Sequence, residues 1–140
     1  MNIVVLERNS VGPDIPVDCF YELGNVTCYR NTVTIEEVKE RVKEADIIVA
    51  NKSPMCEESL KDAPNVKMIC EFATGYDNCD LAYCKSRGIR VTNVVDYCSA
   101  MVAQHTFALA LALSQKLPHY DNYVKSDEYS AQDRFSNFDI

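Results

Sequence analysis

Two polar segments follow apolar runs in this chain of 140 residues, and both contain groups that bind small anions. Asn51 and Lys52 come directly after the run "DIIVA", and Lys52 brings a positive charge. Thr74, Gly75 and Tyr76 come shortly after the run "VKMIC". Glycine permits a positive φ and has no Cβ, so a ligand can approach the backbone N–H groups closely. These residue types and their spacing predict a site for a small carboxylate or phosphate.

A simpler interpretation also accounts for Gly75. In a strand-to-helix turn the glycine would relieve backbone strain, and Asp77 or Asn78 would cap the helix that follows. Lys52 would then be an ordinary solvated lysine on the protein surface. From the sequence alone, both interpretations stay open.

Other kinds of site lack their usual residues. The glycines, at positions 12, 24, 75 and 88, cannot form a dinucleotide-binding fingerprint or a phosphate-binding P-loop. The seven cysteines include no CxxC pair, and there are only two histidines, so no metal site is expected. We expect reduced, mostly structural thiols, as in a cytoplasmic protein.

The charge balance excludes two classes of partner. A net charge of −7 argues against a nucleic-acid surface and against an anionic membrane face, because either would need clustered Lys and Arg. The longest apolar run, at residues 107–113, is far shorter than the roughly 20 residues that span a membrane. Nothing at the start of the sequence resembles a signal peptide.

Alternating strands and helices must position the candidate site. Apolar runs with β-branched residues predict strands at residues 2–7, 25–29, 46–50, 66–70 and 89–94. Helical spacing and capping signals predict helices at residues 34–45, 56–63, 78–87 and 99–117. Strands separated by helices indicate an α/β fold, here a flavodoxin-like, doubly wound parallel sheet with helices on both faces. In such sheets ligands bind at the carboxyl ends of the strands, which is where both polar segments lie.

Several segments resemble the family of D-isomer-specific 2-hydroxyacid dehydrogenases, in particular its glycerate dehydrogenase or hydroxypyruvate reductase branch. The matching segments are "ANKSP" (50–54), "APNVKMI" (63–69), "ATGYDNCD" (73–80), "GIRVTNV" (88–94) and "VAQHTFALAL" (102–111). They keep the family's order and spacing across roughly residues 45–115.

The sequence departs from the family's pattern at three positions within or near these segments. Cys79 replaces an aliphatic residue, Asp96 stands where the family often has Gly, and Gln104 stands where it usually has Glu.

The resemblance implies roles for individual residues. In the family the Thr-Gly backbone amides hold the substrate carboxylate, so Thr74 and Gly75, with Tyr76 beside them, would bind a small 2-hydroxy or 2-keto acid. Asn51 and Lys52 would lie at the same edge of the sheet, with Lys52 as a second anchor for an anion. In such enzymes the helix that begins around Met101 and Val102 passes close to the nicotinamide of NAD or NADP.

The resemblance also implies a domain organisation. Residues 1–98 would form the substrate domain and residues 99–117 an apolar helix between domains. Residues 118–140, where polar residues alternate with isolated aromatics, would be an arm leading towards the cofactor domain. Family members place that domain and the catalytic Arg, Glu and His beyond this point. We therefore expect no catalytic residue in the chain, no tight binding of NAD or NADP, and no activity of the chain alone.

The two histidines precede the region in which the family has its catalytic histidine. His105 and His119 are therefore not assigned an acid/base role, and we expect His105, in an apolar helix, to be a packing residue. The helix at residues 99–117 is apolar nearly all round and must be buried on more than one side. We expect it to form a homodimer interface.

Three alternatives come from other classes of protein. A phospho-receiver domain needs an Asp after the third strand and a Lys after the fifth, but Asn51 and Asn93 stand there. A flavin-binding electron carrier needs a phosphate-binding loop after the first strand, and "ERNSVGPDIP" offers only scattered Ser and Gly. A non-catalytic, flavodoxin-like interaction module that uses the apolar last helix stays open.

Overall fold

The structure, a computed structural model, describes residues 1–131 and divides the chain into two compact units, Met1–Tyr97 and Cys98–Ile140. The end of the predicted arm, residues 132–140, lies outside the described residues. Each unit is described by itself below.

The first unit is built on one parallel sheet of five strands. The strands are β1 (Asn2–Val5), β2 (Asn25–Cys28), β3 (Ile47–Ala50), β4 (Met68–Glu71) and β5 (Arg90–Thr92). Their order in the sheet is β2-β1-β3-β4-β5, so the sheet is doubly wound and the direction of winding reverses between β1 and β3. The predicted α/β fold class and flavodoxin-like strand order are confirmed.

Short helices connect the strands of the first unit. They are α1 (Ile35–Val42), α2 (Glu57–Leu60) and α3 (Leu81–Ser86), together with 3-10 turns at Arg8–Ser10 and Asp18–Phe20. Thr34 caps α1 in a capping box, in which its hydroxyl oxygen accepts the backbone N–H of Glu37 at 3.2 Å. Asp80 caps α3, which is followed by Gly88 at a φ of +70°.

The strands of the sheet contribute side chains to two hydrophobic clusters. The larger cluster combines residues of the strands, such as Val4 and Ile48, with Val38 of α1, Leu60 of α2 and Cys84 of α3. The smaller cluster consists of Ile3, Val5 and Val49, with half-buried neighbours that include Phe20 and Phe72. Successive residues of a strand point to opposite faces, so the apolar runs of β1 and β3 serve both clusters.

The second unit contains α4 (Ser99–Ser114) and α5 (Leu117–Lys125). The long helix ends three residues before the predicted boundary at Leu117. Lys116, between the two helices, has a positive φ of 50°. Pro118 lies in the first turn of α5 rather than terminating α4, because the first turn of a helix tolerates proline.

The described part of the predicted arm contains a helix, α5, whose side chains pair one turn apart. Lys125 and Asp121 form a salt bridge of 2.7 Å, and the rings of His119 and Tyr123 are stacked. Within residues 1–131, no helix is both long and apolar enough to cross a membrane.

Candidate functional site

The loops after β3 and β4 begin side by side at the carboxyl edge of the sheet. Ala50 and Glu71, the last residues of these strands, are register partners, and the N–H of Phe72 donates to the carbonyl of Ala50 at 2.8 Å. Asn51 and Lys52 therefore follow one strand while residues 74–76 follow its neighbour, as the sequence predicts.

Hydrogen bonds fix these two loops relative to each other. The side-chain amide of Asn78 donates to the carbonyl of Ser53 at 2.9 Å, and the carbonyl of Asn78 accepts the N–H of Met55 at 2.8 Å. The carbonyl of Met55 in turn accepts the N–H of Asp80 at 2.8 Å. The candidate site consequently rests on a rigid frame shared by both loops.

The loop that contains Thr74 and Gly75 is exposed. The backbone N–H groups of these two consecutive residues have no hydrogen-bond partner in the described part of the chain. The hydroxyl and carbonyl groups of Thr74 form hydrogen bonds within the protein. The hydroxyl of Thr74 donates to the carbonyl of Val94 at 2.9 Å, and the carbonyl of Thr74 accepts from the side-chain amide of Asn93 at 2.7 Å. The N–H groups of Thr74 and Gly75 therefore remain available to a ligand.

Backbone strain does not explain the glycine at position 75. Gly75 has no positive φ, and a Cβ built on it would meet only the Oδ2 atom of Asp77, at 3.6 Å, an ordinary contact. The cap of α3 is Asp80, not Asp77 or Asn78. The simple turn interpretation is therefore wrong on both points, and the open space above the Gly75 backbone is a feature that a ligand can use.

The two amides at the end of β3 are not available in the same way. Glu7, two residues beyond β1, is almost fully buried, and its carboxylate accepts the N–H of Asn51 at 2.6 Å and that of Lys52 at 2.8 Å. The side chain of Lys52 is exposed, and its ammonium has no ion-pair or hydrogen-bond partner among residues 1–131. It borders a cavity of about 310 Å³ whose lining includes Glu7, Asn9 and Asn31.

A second buried acid, Glu71, lies at the end of β4. Its Oε1 atom accepts from the side-chain amide of Asn78 at 3.0 Å and from the thiol of Cys79 at 3.1 Å. Its Oε2 atom is buried without a partner in the described residues. Burial raises the pKa of the Glu71 carboxyl, and the nearby charge of Glu7 raises it further while Lys52 opposes this.

Sequence reasoning missed both buried acids. Burial and the neighbouring Glu71 raise the pKa of the Cys79 thiol, so this cysteine stays protonated and packs as an apolar side chain. An acidic residue directly after an apolar run, as Glu7 is after Leu6 and Glu71 after Cys70, is the signal that would have found them.

A larger cavity lies away from these groups. It measures about 680 Å³ and is lined by residues at the amino ends of the strands, among them Met1, Asp46, Lys67 and Arg90. Ligands in open α/β sheets bind at the carboxyl ends of the strands, and Lys67 already faces Asp46 at 3.7 Å. We therefore place the candidate site at the carboxyl edge.

The remaining predicted positions belong to the second unit. Met101 and Val102, in the first turn of α4, are each more than half exposed. His105 is exposed in the same helix, so the expectation that it is a packing residue is wrong. His119 stacks on Tyr123 within α5.

Metal binding and disulfides find no support in the part of the chain that the structure describes. No group of three or more His, Cys, Asp or Glu side chains in residues 1–131 is arranged to hold a metal ion. All seven cysteines fall within these residues and are free, with Cys79 and Cys84 buried.

Comparison with known proteins gives consistent matches. Residues 3–136 match the family described as D-isomer specific 2-hydroxyacid dehydrogenase, catalytic domain. The glycerate dehydrogenase of Methylorubrum extorquens is 35% identical over 137 residues, which are 98% of this chain and 43% of that protein. The hydroxypyruvate reductase of Blautia hydrogenotrophica is 33% identical over 94% of this chain and 42% of its own length.

Solved structures agree. A D-lactate dehydrogenase from Aquifex aeolicus, complexed with NAD and lactic acid, is 29% identical with a TM-score of 0.75, over 96% of this chain and 39% of that one. An acyclic imino acid reductase in complex with NADPH and D-Arg shares the fold, with a TM-score of 0.82 at 22% identity over 99% of this chain and 44% of that one. The chain spans less than half the length of these relatives. It belongs to the family of D-isomer-specific 2-hydroxyacid dehydrogenases and matches the catalytic domain of that family.

Proposed function

We propose that this chain is the substrate-binding portion of an NAD(P)-dependent oxidoreductase that interconverts D-2-hydroxy acids and 2-keto acids. The observation that carries the proposal is the pair of backbone N–H groups at Thr74 and Gly75, which have no partner among residues 1–131 and lie on an exposed loop at the carboxyl edge of the sheet. Two adjacent N–H donors suit the two oxygens of a carboxylate. Membership of the family supports the same reaction class.

The other residues of the site would complete the contacts to the acid. Lys52, whose ammonium has no ion-pair partner in the described part of the chain, supplies a positive charge on the neighbouring loop and serves as a second anchor for the anion. Asn51, half-buried beside it, offers a side-chain amide. The ring of Tyr76 is 46% exposed and lies next in sequence to the free N–H groups, where it can cover the bound acid.

The nicotinamide cofactor supplies or accepts the hydride when it is bound. The residues of this chain do not fit tight binding of a dinucleotide, because its four glycines form no phosphate-binding fingerprint. Met101 and Val102 are proposed to lie near the nicotinamide in the assembled enzyme, and the chain by itself is proposed to be inactive. Assays of glyoxylate and hydroxypyruvate reduction with NADH and NADPH test this, and measurable turnover by the purified chain would refute it.

A titration of the ¹⁵N-labelled chain with oxamate, a stable analogue of a 2-keto acid, tests the binding site directly. The largest changes in amide chemical shift are expected at Thr74 and Gly75. Lactamide, which has no carboxylate, should leave these resonances in place at the same concentration. Shifts that are equally large for both compounds, or that avoid this loop, would contradict a carboxylate site.

We also propose that the helix predicted at residues 99–117, which the structure has as α4 (Ser99–Ser114), associates two copies of the chain. Large apolar side chains of α4, among them Phe107, Leu109 and Leu113, are more than half exposed, which is unusual for a monomeric protein. Size-exclusion chromatography should give a dimer that Leu109→Glu dissociates, while Gln104→Glu, a polar substitution in the same helix, should leave it intact. A monomer of the unmodified chain at high micromolar concentration would contradict this association.

The same exposed helix favours a second candidate function, a non-catalytic interaction module. The two candidates differ in the oxamate titration, because only the substrate-binding portion should respond at Thr74 and Gly75.

A cytoplasmic location is also proposed, supported by seven free thiols, two of them on exposed cysteines. Alkylation of the thiols before cell lysis would detect a disulfide-bonded form that contradicts it.

A further inference from the structure

We propose that Glu7 is a positioning residue that withdraws the backbone N–H groups at the end of β3 from the substrate. The anion is thereby received by the backbone of the Thr74 and Gly75 loop, and the end of β3 contributes only the side chains of Asn51 and Lys52. This role rests on the proposed function of the site, since it concerns where a 2-keto acid binds.

The geometry of Glu7 supports this assignment. Its carboxylate receives the N–H of Asn51 at 2.6 Å and makes two contacts with the N–H of Lys52, at 2.8 and 3.1 Å. Glu7 is only 7% exposed, although it borders the cavity of about 310 Å³ next to Lys52. Hydrogen bonds from N–H groups to a buried carboxylate are among the strong ones in proteins, and both amides are therefore fully occupied.

The loops after β3 and β4 differ in whether their backbone N–H groups are already hydrogen-bonded. Both loops start at the carboxyl edge of adjacent strands, and each presents two consecutive backbone N–H groups. The N–H groups of Thr74 and Gly75 have no partner among the described residues. Those of Asn51 and Lys52 both donate to the carboxylate of Glu7. Without Glu7 the edge would carry two similar anion sites, one strand apart.

A 2-keto acid has a single carboxylate, so two similar anion sites would allow it to bind in two orientations. Only one of them can present the keto carbon to the cofactor, and a substrate held in the other would be unproductive. The negative charge of Glu7 also disfavours a second anion at the end of β3. The ammonium of Lys52 has no partner in the described residues and can still reach the bound acid from its exposed position.

Amide hydrogen exchange and the oxamate titration of the ¹⁵N-labelled chain test this role. In the wild-type chain the amides of Asn51 and Lys52 should exchange slowly and should shift far less with oxamate than those of Thr74 and Gly75. Glu7→Gln replaces one acceptor oxygen by an NH₂ group and removes the charge. The exchange of the two β3 amides should then accelerate tenfold or more, and both should begin to respond to oxamate.

Glu37 provides a matched control, because its carboxylate also receives two consecutive backbone N–H groups, those of Val33 and Thr34, at 2.9 and 3.2 Å. Glu37→Gln should accelerate exchange only at the start of α1 and should leave the oxamate response unchanged. A purely structural role of Glu7 would make the two variants alike in the titration.

The possible outcomes separate this role from the proposed function. Oxamate-induced shifts of the wild-type amides of Asn51 and Lys52 as large as those of Thr74 and Gly75 would overturn the role. This measurement uses only the wild-type chain and does not depend on the folding of a variant. An identical oxamate response in wild type and folded Glu7→Gln, confined to Thr74 and Gly75, would overturn the role but leave the proposed function standing. No response to oxamate in any variant would overturn both.

Discussion

The amino and carboxyl edges of the sheet differ in how far their polar groups are already bonded within the protein. At the amino edge, Asp46 accepts the N–H of Asn2 at 2.8 Å and faces Lys67, and Gly24 is required because a Cβ there would lie 2.2 Å from the carbonyl oxygen of Met1. At the carboxyl edge, Gly75 has room for a Cβ, and its N–H is free within the described residues. Groups that the fold does not use are those available to a ligand.

The largest expected effect is on stability at the amino edge. Gly24→Ala places a methyl group against the backbone of Met1, and relieving that overlap requires the backbone to move. We expect the free energy of unfolding to fall by about 2–3 kcal/mol. Urea denaturation measures it, with Gly75→Ala as the matched control, expected within about 1 kcal/mol of wild type. If both variants lost the same free energy of unfolding, the two edges would not differ in their tolerance of a Cβ at the glycine.

The next effect is on binding at the carboxyl edge. The side chain introduced by Gly75→Val occupies the open space above the backbone and should weaken oxamate binding tenfold or more, which corresponds to about 1.4 kcal/mol. Because Gly75 has no positive φ, stability should change little. Amide chemical shifts and urea denaturation report the two quantities separately. Unchanged affinity for oxamate in a folded Gly75→Val variant would show that the carboxylate does not bind at this loop.

The two edges should also differ in the sign of their pH dependence. The N–H of Asn2 is the main group that lowers the pKa of Asp46, so Asp46 contributes stability above its ordinary pKa that is lost as the pH falls through the lowered value. Burial raises the pKa of Glu71, so stability is fully present below its ordinary pKa and declines as the pH rises towards the raised value.

Two variants measure this difference. Over the range from about pH 2 to pH 8 the two variants should differ from wild type in opposite senses: as the pH rises towards about 4, Asp46→Asn should become less stable relative to wild type, and as the pH rises above about 4, Glu71→Gln should become progressively more stable relative to wild type. The melting temperatures of the three proteins across this range give the two slopes. Slopes of the same sign would show that the pKa of Glu71 is not raised by its burial.

The smallest expected effect concerns the loop after β5. Asp96, which stands where the family often has Gly, has a positive φ of 56°, a region that favours glycine. Asp96→Gly should therefore stabilise the protein by up to about 1 kcal/mol, measured by urea denaturation. As a control, Asp96→Ala keeps the Cβ and should give no gain. Equal stability of the two variants would show that the backbone at this position stores no strain.

Local sequence signals were sufficient for most of the architecture. The apolar runs of β1, β3 and β4 and the cap at Thr34 depend on neighbouring residues, and the structure has each of them near its predicted position. The alternation of strands and helices then restricted the sheet to a parallel, doubly wound order. The boundary between α4 and α5 was missed because Pro118 is compatible with either ending or starting a helix.

By itself, the sequence determined the fold class and brought Lys52 and the loop of Thr74 and Gly75 to one edge of the sheet, because parallel strands end together. Only the tertiary structure decided which backbone N–H groups at that edge are free. Glu7 is 44 residues from Asn51 along the chain, and no local sequence pattern predicts that its carboxylate accepts the N–H of Asn51. Long-range pairing of buried polar groups depends on how the strands are ordered, and so it appears only once the sheet is assembled.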